Sequence, residues 1–316
     1  MRSAAEKVKK KALDLGFTEA GIAKAGPLKV EAGHLEEWLG RGYHATMAWM
    51  SESREKRIDP GNIVPGAKSV ICVALNYYTP FRHPDDADVG KISRYAWGDD
   101  YHEILTGKLK RLWSWMQSEF PGVEGRYYVD TGPVMDKVWA ERAGIGWIAK
   151  HTNVITRSHG SWVFLGELIT TLDLDADEAA TDHCGTCTLC LEACPTGAIS
   201  EPYVVDSNRC ISYLTIEHRG EIPEDVTDHF DRWIYGCDIC QDVCPWNQKL
   251  SMETQEGGFQ PREGNVAPLL EEWRGMTQEQ FARRFKGSPI KRTKRDGIVR
   301  NVEVVLANRQ ETKGRK

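Results

Sequence analysis

The chemistry in this chain is concentrated in its cysteines. Nine are present in 316 residues, and eight of them lie between Cys184 and Cys244, which makes a site and not a scatter. Cys184, Cys187, Cys190 and Cys194, followed by Pro195, reproduce the C-x2-C-x2-C-x3-C-P run that holds 4Fe-4S cubes. Three thiolates at that spacing can wrap the corners of one cube. The fourth leaves on a new element and, in two-cluster proteins, reaches the other cube. A second run is irregular: Cys237, Cys240 and Cys244-Pro245 fit the last three positions, but the first is Ile234. Cys210 is the only unassigned cysteine nearby. Crossing the runs gives one cluster on Cys184, Cys187, Cys190 and Cys244, and another on Cys194, Cys210, Cys237 and Cys240. Zinc would need only one tetrahedral set, better served by two pairs across a longer loop. Cys72, inside apolar SVICVAL, reads as a buried small hydrophobe.

Two adjacent cubes form an electron conduit, which must deliver to something. Gly144 and Gly146 in AGIGWIAK lack the third glycine of a dinucleotide fingerprint, and no Walker A sequence is present. With 41% hydrophobic and 28% charged residues the chain is globular, and no run approaches the roughly 20 apolar residues of a spanning helix. The start MRSAAEKVKKKALDLGF has no apolar core of the secretory kind, so a cytoplasmic protein without a membrane role is expected. No heptad pattern argues for an oligomer, and a monomer is expected. Charge is uneven. Residues 283–316 hold twelve Lys or Arg against three acids, net +9, so with a whole-chain charge of -5 the rest carries -14. A basic tail on an acidic body invites an anionic partner.

The elements that must position these groups read as α+β. Ser3–Leu15 has the pattern of an amphipathic helix ended by Gly16; FTEAGIA is strand-like; His34–Arg41 reads as a second helix closed by Gly42. SVICVAL suits a central strand, and Asp100–Phe120 has helical spacing. Arg126–Asp130 is a short strand that brings Asp130 to its end, Met135–Ala143 a helix, and Ser161–Leu172 another strand region. A mixed or antiparallel sheet is expected, with a doubly wound sheet as the runner-up. DLDADEAATD (173–182) is a surface connector, and the closing RQETKGRK should fray. The expected units are 1–175, an α+β catalytic domain; 176–250, the cysteine domain; and 251–316, a helical basic region.

Several long motifs resemble those of the epoxyqueuosine reductases, cobalamin-dependent iron-sulfur enzymes of tRNA modification, across nearly all of residues 1–308. They are VPGAKSVICVALNYY ending at Tyr78, ISRYAWGDDYH (92–102), YYVDTGPVMDK (127–137), GIGWIAKHTNVI (144–155), GSWVFLGELIT (160–170) and the two cysteine runs. Reductive dehalogenases are similar at a greater distance. The resemblance implies a nitroreductase-like cobalamin-binding domain and a ferredoxin-like module with two 4Fe-4S clusters. It also implies an α-helical repeat domain, of which this chain has room for little more than the first helix. The implied reaction is a two-electron, two-proton removal of the epoxide oxygen of epoxyqueuosine at the tRNA wobble position, with an external low-potential electron donor.

On that resemblance Asp130 in YYVDTGP is the proton donor, where a bland reading would make it a turn cap. Arg57 is carried over as a corrinoid contact, and Tyr95, Lys150, Asn153 and Ser161 as residues lining the corrinoid and substrate cleft. Asp136 reads as a solvent-facing or arginine-paired acid. His102 and His151 are taken as hydrogen-bonding or core residues and not cobalt ligands. Trp97, Trp147 and Trp162 read as core. Lys291, Arg292, Lys294 and Arg295 are the candidates for phosphates of the tRNA anticodon stem-loop, with Arg283, Arg284 and Lys286 as an extension. The competing accounts are a corrinoid reductive dehalogenase or other small-molecule reductase, a non-enzymatic ferredoxin-like electron carrier, and a zinc-stapled RNA-binding module.

Overall fold

The computed structural model describes residues 3–314, with side chains through Arg309. Its strands, in chain order, are β1 (Glu19–Lys24), β2 (Ser69–Asn76), β3 (Lys91–Ile92), β4 (Gly125–Tyr128), β5 (Gly146–Ile148), β6 (Val154–Thr156), β7 (Val163–Thr170), β8 (Ile199–Glu201), β9 (Val204–Val205) and β10 (Trp233–Tyr235). The main sheet has the order β1-β2-β7-β4, and every pairing in it is antiparallel, which removes the doubly wound alternative.

β2 is buried along its whole length because both faces of the sheet are covered. Ile71, Val73 and Leu75 meet the helices Ala4–Asp14 and Tyr101–Glu119, whereas Val70, Cys72 and Ala74 meet the helix Asp136–Arg142. Cys72 is fully buried, as its apolar surroundings predict. The first helix begins in a capping box, with Ser3 accepting from the Glu6 N–H and Glu6 accepting from the Ser3 N–H. The Tyr101–Glu119 helix is capped by Asp100 and buries Leu105, Leu109, Leu112 and Met116 on one stripe. The second helix starts at Lys29, five residues before the expected His34. It is anchored there by buried Leu28, whose N–H donates to Ile58 at 2.7 Å. At Gly21 a β-carbon would stand 2.0 Å from the Ala143 carbonyl oxygen, so β1 can lie against the helix end only as glycine.

The 173–182 segment is irregular, as expected, yet it is fastened: Asp177 accepts from the Ile22 N–H at 2.9 Å and pairs with Lys9 at 2.5 Å. Beyond it, short helices at Leu189–Ala193, Ile211–Ile216, Ile239–Asp242 and Pro245–Leu250 carry the cysteine runs. The C-terminal helices Leu270–Arg274, Gln278–Arg284 and Lys294–Gly314 do not stand apart. Ile298, Val302, Val305 and Leu306 share a core with Ile92, Ala96 and Trp97 from the first region and Ile234 and Tyr235 from the second. Parallel pairing of β10 with β3 runs through this core. The closing RQETKGRK, expected to fray, instead continues the last helix in its backbone through Gly314, and its final two residues lie outside the described residues.

Candidate functional site

The eight clustered cysteines divide into two groups of four. Cys184, Cys187, Cys190 and Cys244 line a pocket of about 220 Å3, and Cys194, Cys210, Cys237 and Cys240 line one end of a larger cleft. Local backbone explains how. Cys194 and Cys244 each precede a proline, so one ends the Leu189–Ala193 helix and the other caps the Pro245–Leu250 helix with Pro245 in its first turn. Backbone N–H groups point at the sulfurs: Ser212 and Tyr213 at Cys210, Ile239 at Cys237, Trp246 and Asn247 at Cys244. Such donors favour the thiolate, whereas burial pushes the thiols of Cys210, Cys237 and Cys244 up on balance. All nine cysteines are free of disulfides. Among the described residues no three His, Cys, Asp or Glu side chains form a site for a single metal ion.

The first pocket lies toward the surface, with Cys187 and Leu189 exposed and Trp147, Trp246 and His183 packed beside it. Lys150, expected in the corrinoid cleft, belongs to this pocket instead. Its Nζ donates to the carbonyls of Gly185 at 2.6 Å and Cys187 at 3.0 Å and so clamps the first cysteine loop.

The larger cleft encloses about 380 Å3. Val163, Phe164 and Leu165 of β7 form an apolar wall, and Asp130, Asp136, Lys137 and Asn153 a polar one. Asp130 falls two residues after β4, in a loop where it takes φ 57°, in the left-handed region. Its Oδ2 accepts from the Tyr101 hydroxyl at 2.5 Å and lies 3.8 Å from His102 Nε2. His102 Nδ1 is in turn 2.7 Å from Asp100 Oδ1, so this histidine has the hydrogen-bonding role expected of it. Burial, then the charge of Asp130, pushes the Tyr101 hydroxyl well up, which keeps it a donor. Gly132 gives the loop its close approach: a β-carbon there would stand 2.2 Å from the Tyr128 ring.

Tyr95 also lines the cleft, its hydroxyl 3.2 Å from that of Tyr235. Asn153 Oδ1 accepts from Lys137 Nζ at 3.4 Å. Ser161 is buried between modules: its hydroxyl donates to Gln241 Oε1 and accepts from Asn247 Nδ2, both at 2.8 Å. Arg57 is not on the cleft wall. It is half-buried outside it, donating to the carbonyls of Val134 and Trp49 at 3.4 and 3.3 Å, and its guanidinium is pushed down by desolvation while Asp136 and Asp130 oppose that shift. Asp136, read from sequence as solvent-facing or arginine-paired, lines the cleft and has no ion-pair partner among the described residues. His151 is 3% exposed, its Nδ1 accepts the Asn153 N–H and its Nε2 has no partner among the described residues; burial lowers its pKa to about 4, which favours the neutral ring. Trp97, Trp147 and Trp162 are core, as expected.

The sequence reading missed the lock between the modules. Asp238, inside the second cysteine run, accepts from the Ser93 hydroxyl and the Arg94 N–H, and Arg94 lies buried against Tyr78, Trp97 and Trp162. The contact of Tyr101 with Asp130 joins two of the sequence motifs across a 29-residue separation, which carries no local signal in the sequence. Of the basic candidates, Arg283, Lys286, Lys291, Arg292 and Lys294 are exposed, whereas Arg284 and Arg295 are partly buried. Arg292 is bound to Glu217 through three contacts of 2.9 to 3.1 Å, and Arg295 donates to the Met276 carbonyl at 3.0 Å and to Asp296.

A double set of cube-spaced thiols on an α+β domain with an open cleft defines an iron-sulfur oxidoreductase. Residues 183–247 match the 4Fe-4S double cluster binding domain, and residues 57–131 match the family described as epoxyqueuosine reductase QueG, DUF1730. An epoxyqueuosine reductase of Synechocystis sp. is 50% identical over 87% of this chain and 95% of its own, and one of Atelocyanobacterium thalassa is 47% identical over 97% and 100%. The chain belongs to the epoxyqueuosine reductase family. A crystal structure of an epoxyqueuosine reductase with an epoxyqueuosine-modified tRNA-Tyr stem loop superposes with a TM-score of 0.88 at 32% identity, covering 96% of this chain and 80% of that one. A Bacillus subtilis epoxyqueuosine reductase, described with its catalytic aspartate loop swung out of the active site, has a TM-score of 0.87 at 29% identity. No described helix is long and apolar enough to cross a membrane.

Proposed function

We propose that this chain reduces epoxyqueuosine at the wobble position of a tRNA anticodon, with Asp130 as proton donor, electrons entering through the Cys184, Cys187, Cys190 and Cys244 cluster and passing to the Cys194, Cys210, Cys237 and Cys240 cluster. The observation that carries this reading is the order of the parts. One thiol set faces the surface, the second ends in the cleft, and Asp130 stands in the same cleft. His151 belongs to the lining of both cavities, which makes them neighbours.

The cleft also fits a corrinoid. It pairs an apolar wall with polar groups, and its lining includes His151, whose buried Nε2 has no partner among the described residues. His151, Asn153 and Lys137 would hold its amide-bearing rim and Val163 and Leu165 its apolar face. When bound, a corrinoid supplies a strongly reducing, nucleophilic cobalt that side chains lack. Asp130 protonates the epoxide oxygen as the ring opens, and Tyr101 and His102 hold the carboxyl for that transfer. The wobble nucleotide must be unstacked to reach it, at a cost of about a few kcal/mol by analogy with base-flipping enzymes. Lys291 and Lys294 are free to meet phosphates, with Arg292 and Arg295 recruited only by exchanging their present partners. The protein acts as a monomer in the cytoplasm and takes electrons from a low-potential donor docking at Cys187.

The test is anaerobic incubation of the cluster- and cobalamin-loaded protein with epoxyqueuosine-containing tRNA, followed by nucleoside mass analysis. Loss of one oxygen from the modified nucleoside is expected. An unchanged nucleoside under a competent reductant refutes the reading, and dehalogenation of a haloarene in its place would favour a small-molecule reductase.

A further inference from the structure

Removal of the epoxide oxygen consumes two protons, and Asp130 is the donor of one. Its side chain is 59% exposed, so solvent can recharge it between turnovers, but a nucleotide seated in the cleft covers that approach. The second proton must then come from a group already inside. Two carboxyls there are unused by the scheme above. Asp136 lines the cleft with Asp130, and among the described residues its one hydrogen bond is from the Lys137 backbone N–H at 2.9 Å. Glu167 stands on β7 directly across from Cys72 of β2 and Tyr128 of β4, two residues before Asp130. By strand alternation it shares a face with Val163 and Leu165, which line the cleft, and that face is covered by the Asp136–Arg142 helix. Glu167 is 1% exposed, and neither carboxyl oxygen has a hydrogen-bond partner among the described residues. A buried carboxylate without partners is too costly to persist ionised, so the site is built for the acid form.

We propose that Asp136 delivers the second proton of the reduction and that Glu167, behind it, is the buried reservoir that refills Asp136. The inference rests on the epoxide reduction proposed above. As two electrons enter at carbon, the first C–O bond breaks and the oxygen takes the Asp130 proton to become a hydroxyl. The second C–O bond then breaks as the C=C bond forms, and the departing oxygen takes the Asp136 proton and leaves as water. Glu167 passes its proton to Asp136 across a bridging water and, too costly to leave ionised, takes one back as the cleft reopens to solvent. Epoxide, two electrons and two protons thus give alkene and water. The electrostatics agree. Burial is the first cause both of the raised Asp136 and of Glu167 held well above the carboxylate range, and it acts while Asp130 carries its proton; the charge left on Asp130 after it has given that proton up adds to both. Lys137 and Arg57 oppose the shift at Asp136 without pairing to it. Asp136 is a catalytic residue in this account, and Glu167 acts through it as a positioning residue.

The experiment combines infrared spectroscopy of the holoprotein with single-turnover kinetics on an epoxyqueuosine-modified stem loop. At neutral pH the wild type should show deuterium-sensitive carbonyl bands of protonated carboxylic acids, one lost in Asp136→Asn and one in Glu167→Gln. Asp136→Asn should bind the stem loop normally yet lose about 10²-fold or more in rate, the range of a general acid, with recovery in Asp136→Glu. Glu167→Gln should move the alkaline limb of the pH–rate profile to lower pH, because a pair sharing protons gives up its last one later than a single acid does. Wild-type rate and pH profile in Asp136→Asn, or the absence of both bands at neutral pH, would overturn the proposal; an unmoved limb in Glu167→Gln would remove Glu167 from it. If the wild type leaves the epoxide intact, the functional reading fails, and the infrared bands still judge the two carboxyls.

Discussion

Tyr101→Phe isolates the contact that aims Asp130. The Tyr101 ring is stacked on Phe164 at 4.2 Å with an interplanar angle of 4°, and on His102 at 4.0 Å, so phenylalanine keeps the packing and removes only the hydroxyl. That hydroxyl donates to Asp130 Oδ2 at 2.5 Å. A hydrogen bond to a charged group is worth about 1.5–3 kcal/mol. Because Asp130 is largely exposed, solvent competes for the same oxygen, and we discount the value to about 1–1.5 kcal/mol. At about 1.4 kcal/mol per tenfold, the variant should lose roughly five- to twelvefold in single-turnover rate, with cluster spectra and stem-loop affinity unchanged. Rapid-quench nucleoside analysis with the cofactors pre-reduced reads this directly. A loss as large as that of Asp130→Asn would show that the phenol, and not the carboxyl, is the proton source. An unchanged rate would show that the bond does not hold the loop during the reaction.

Asp130→Asn should retain iron, sulfide and cobalamin but lose about 10²- to 10⁴-fold in turnover, as general-acid contributions do; wild-type single-turnover rates would remove Asp130 from the mechanism. Full loading should give about eight irons and eight acid-labile sulfides per chain, and Cys210→Ser should damage the cluster beside the cleft while sparing the one beside Cys187. Equal damage to both, or to neither, in that variant would break the crossed assignment. Lys291→Ala with Lys294→Ala should weaken tRNA binding equally for modified and unmodified tRNA and lower the salt slope by roughly 1–2, since two phosphate contacts are lost; an unchanged slope would make this tail a solvated face. The pair is a cleaner probe than a variant that also removes Arg292, whose loss would leave Glu217 without its partner.

How far the sequence could be read follows from which interactions are local. The cysteine spacing is a local code: Cys210, though 27 residues before Cys237, was assigned to the second set by counting, and it lines the same cavity as Cys194, Cys237 and Cys240. The central strand and the Tyr101–Glu119 helix were legible because an apolar run and a 3.6-residue stripe belong to one element each. The start of the second helix was not, since Leu28 is anchored by Ile58, a contact with another element. Lys150 was drawn into the corrinoid cleft by the motif that contains it. Its neighbour His151 lines both cavities whereas Lys150 lines only the smaller one, so adjacent residues in the short turn between β5 and β6 differ in which site they reach. Periodicity does not specify such divergence.

The same reasoning explains why the modules are not separable in the way their sequence boundaries imply. Ser161 is bound to Gln241 and Asn247, Arg94 and Ser93 to Asp238, and Asn301 to the carbonyls of Thr215 and Ile234, so each region is hydrogen-bonded into the loops that present thiols. Each of these partners is buried, and a buried polar group that loses its partner carries a desolvation penalty of about 1–3 kcal/mol. The cost of moving the cysteine module relative to the cleft is therefore paid at several points together. Electron transfer and proton delivery require groups from separate stretches of chain to hold fixed positions around one substrate atom. The C-terminal helix, through Asn301 and its apolar stripe, is fastened to the segments that follow Cys210 and precede Cys237, and Arg300 adds bonds to the carbonyls of Leu214, His218 and Gly220.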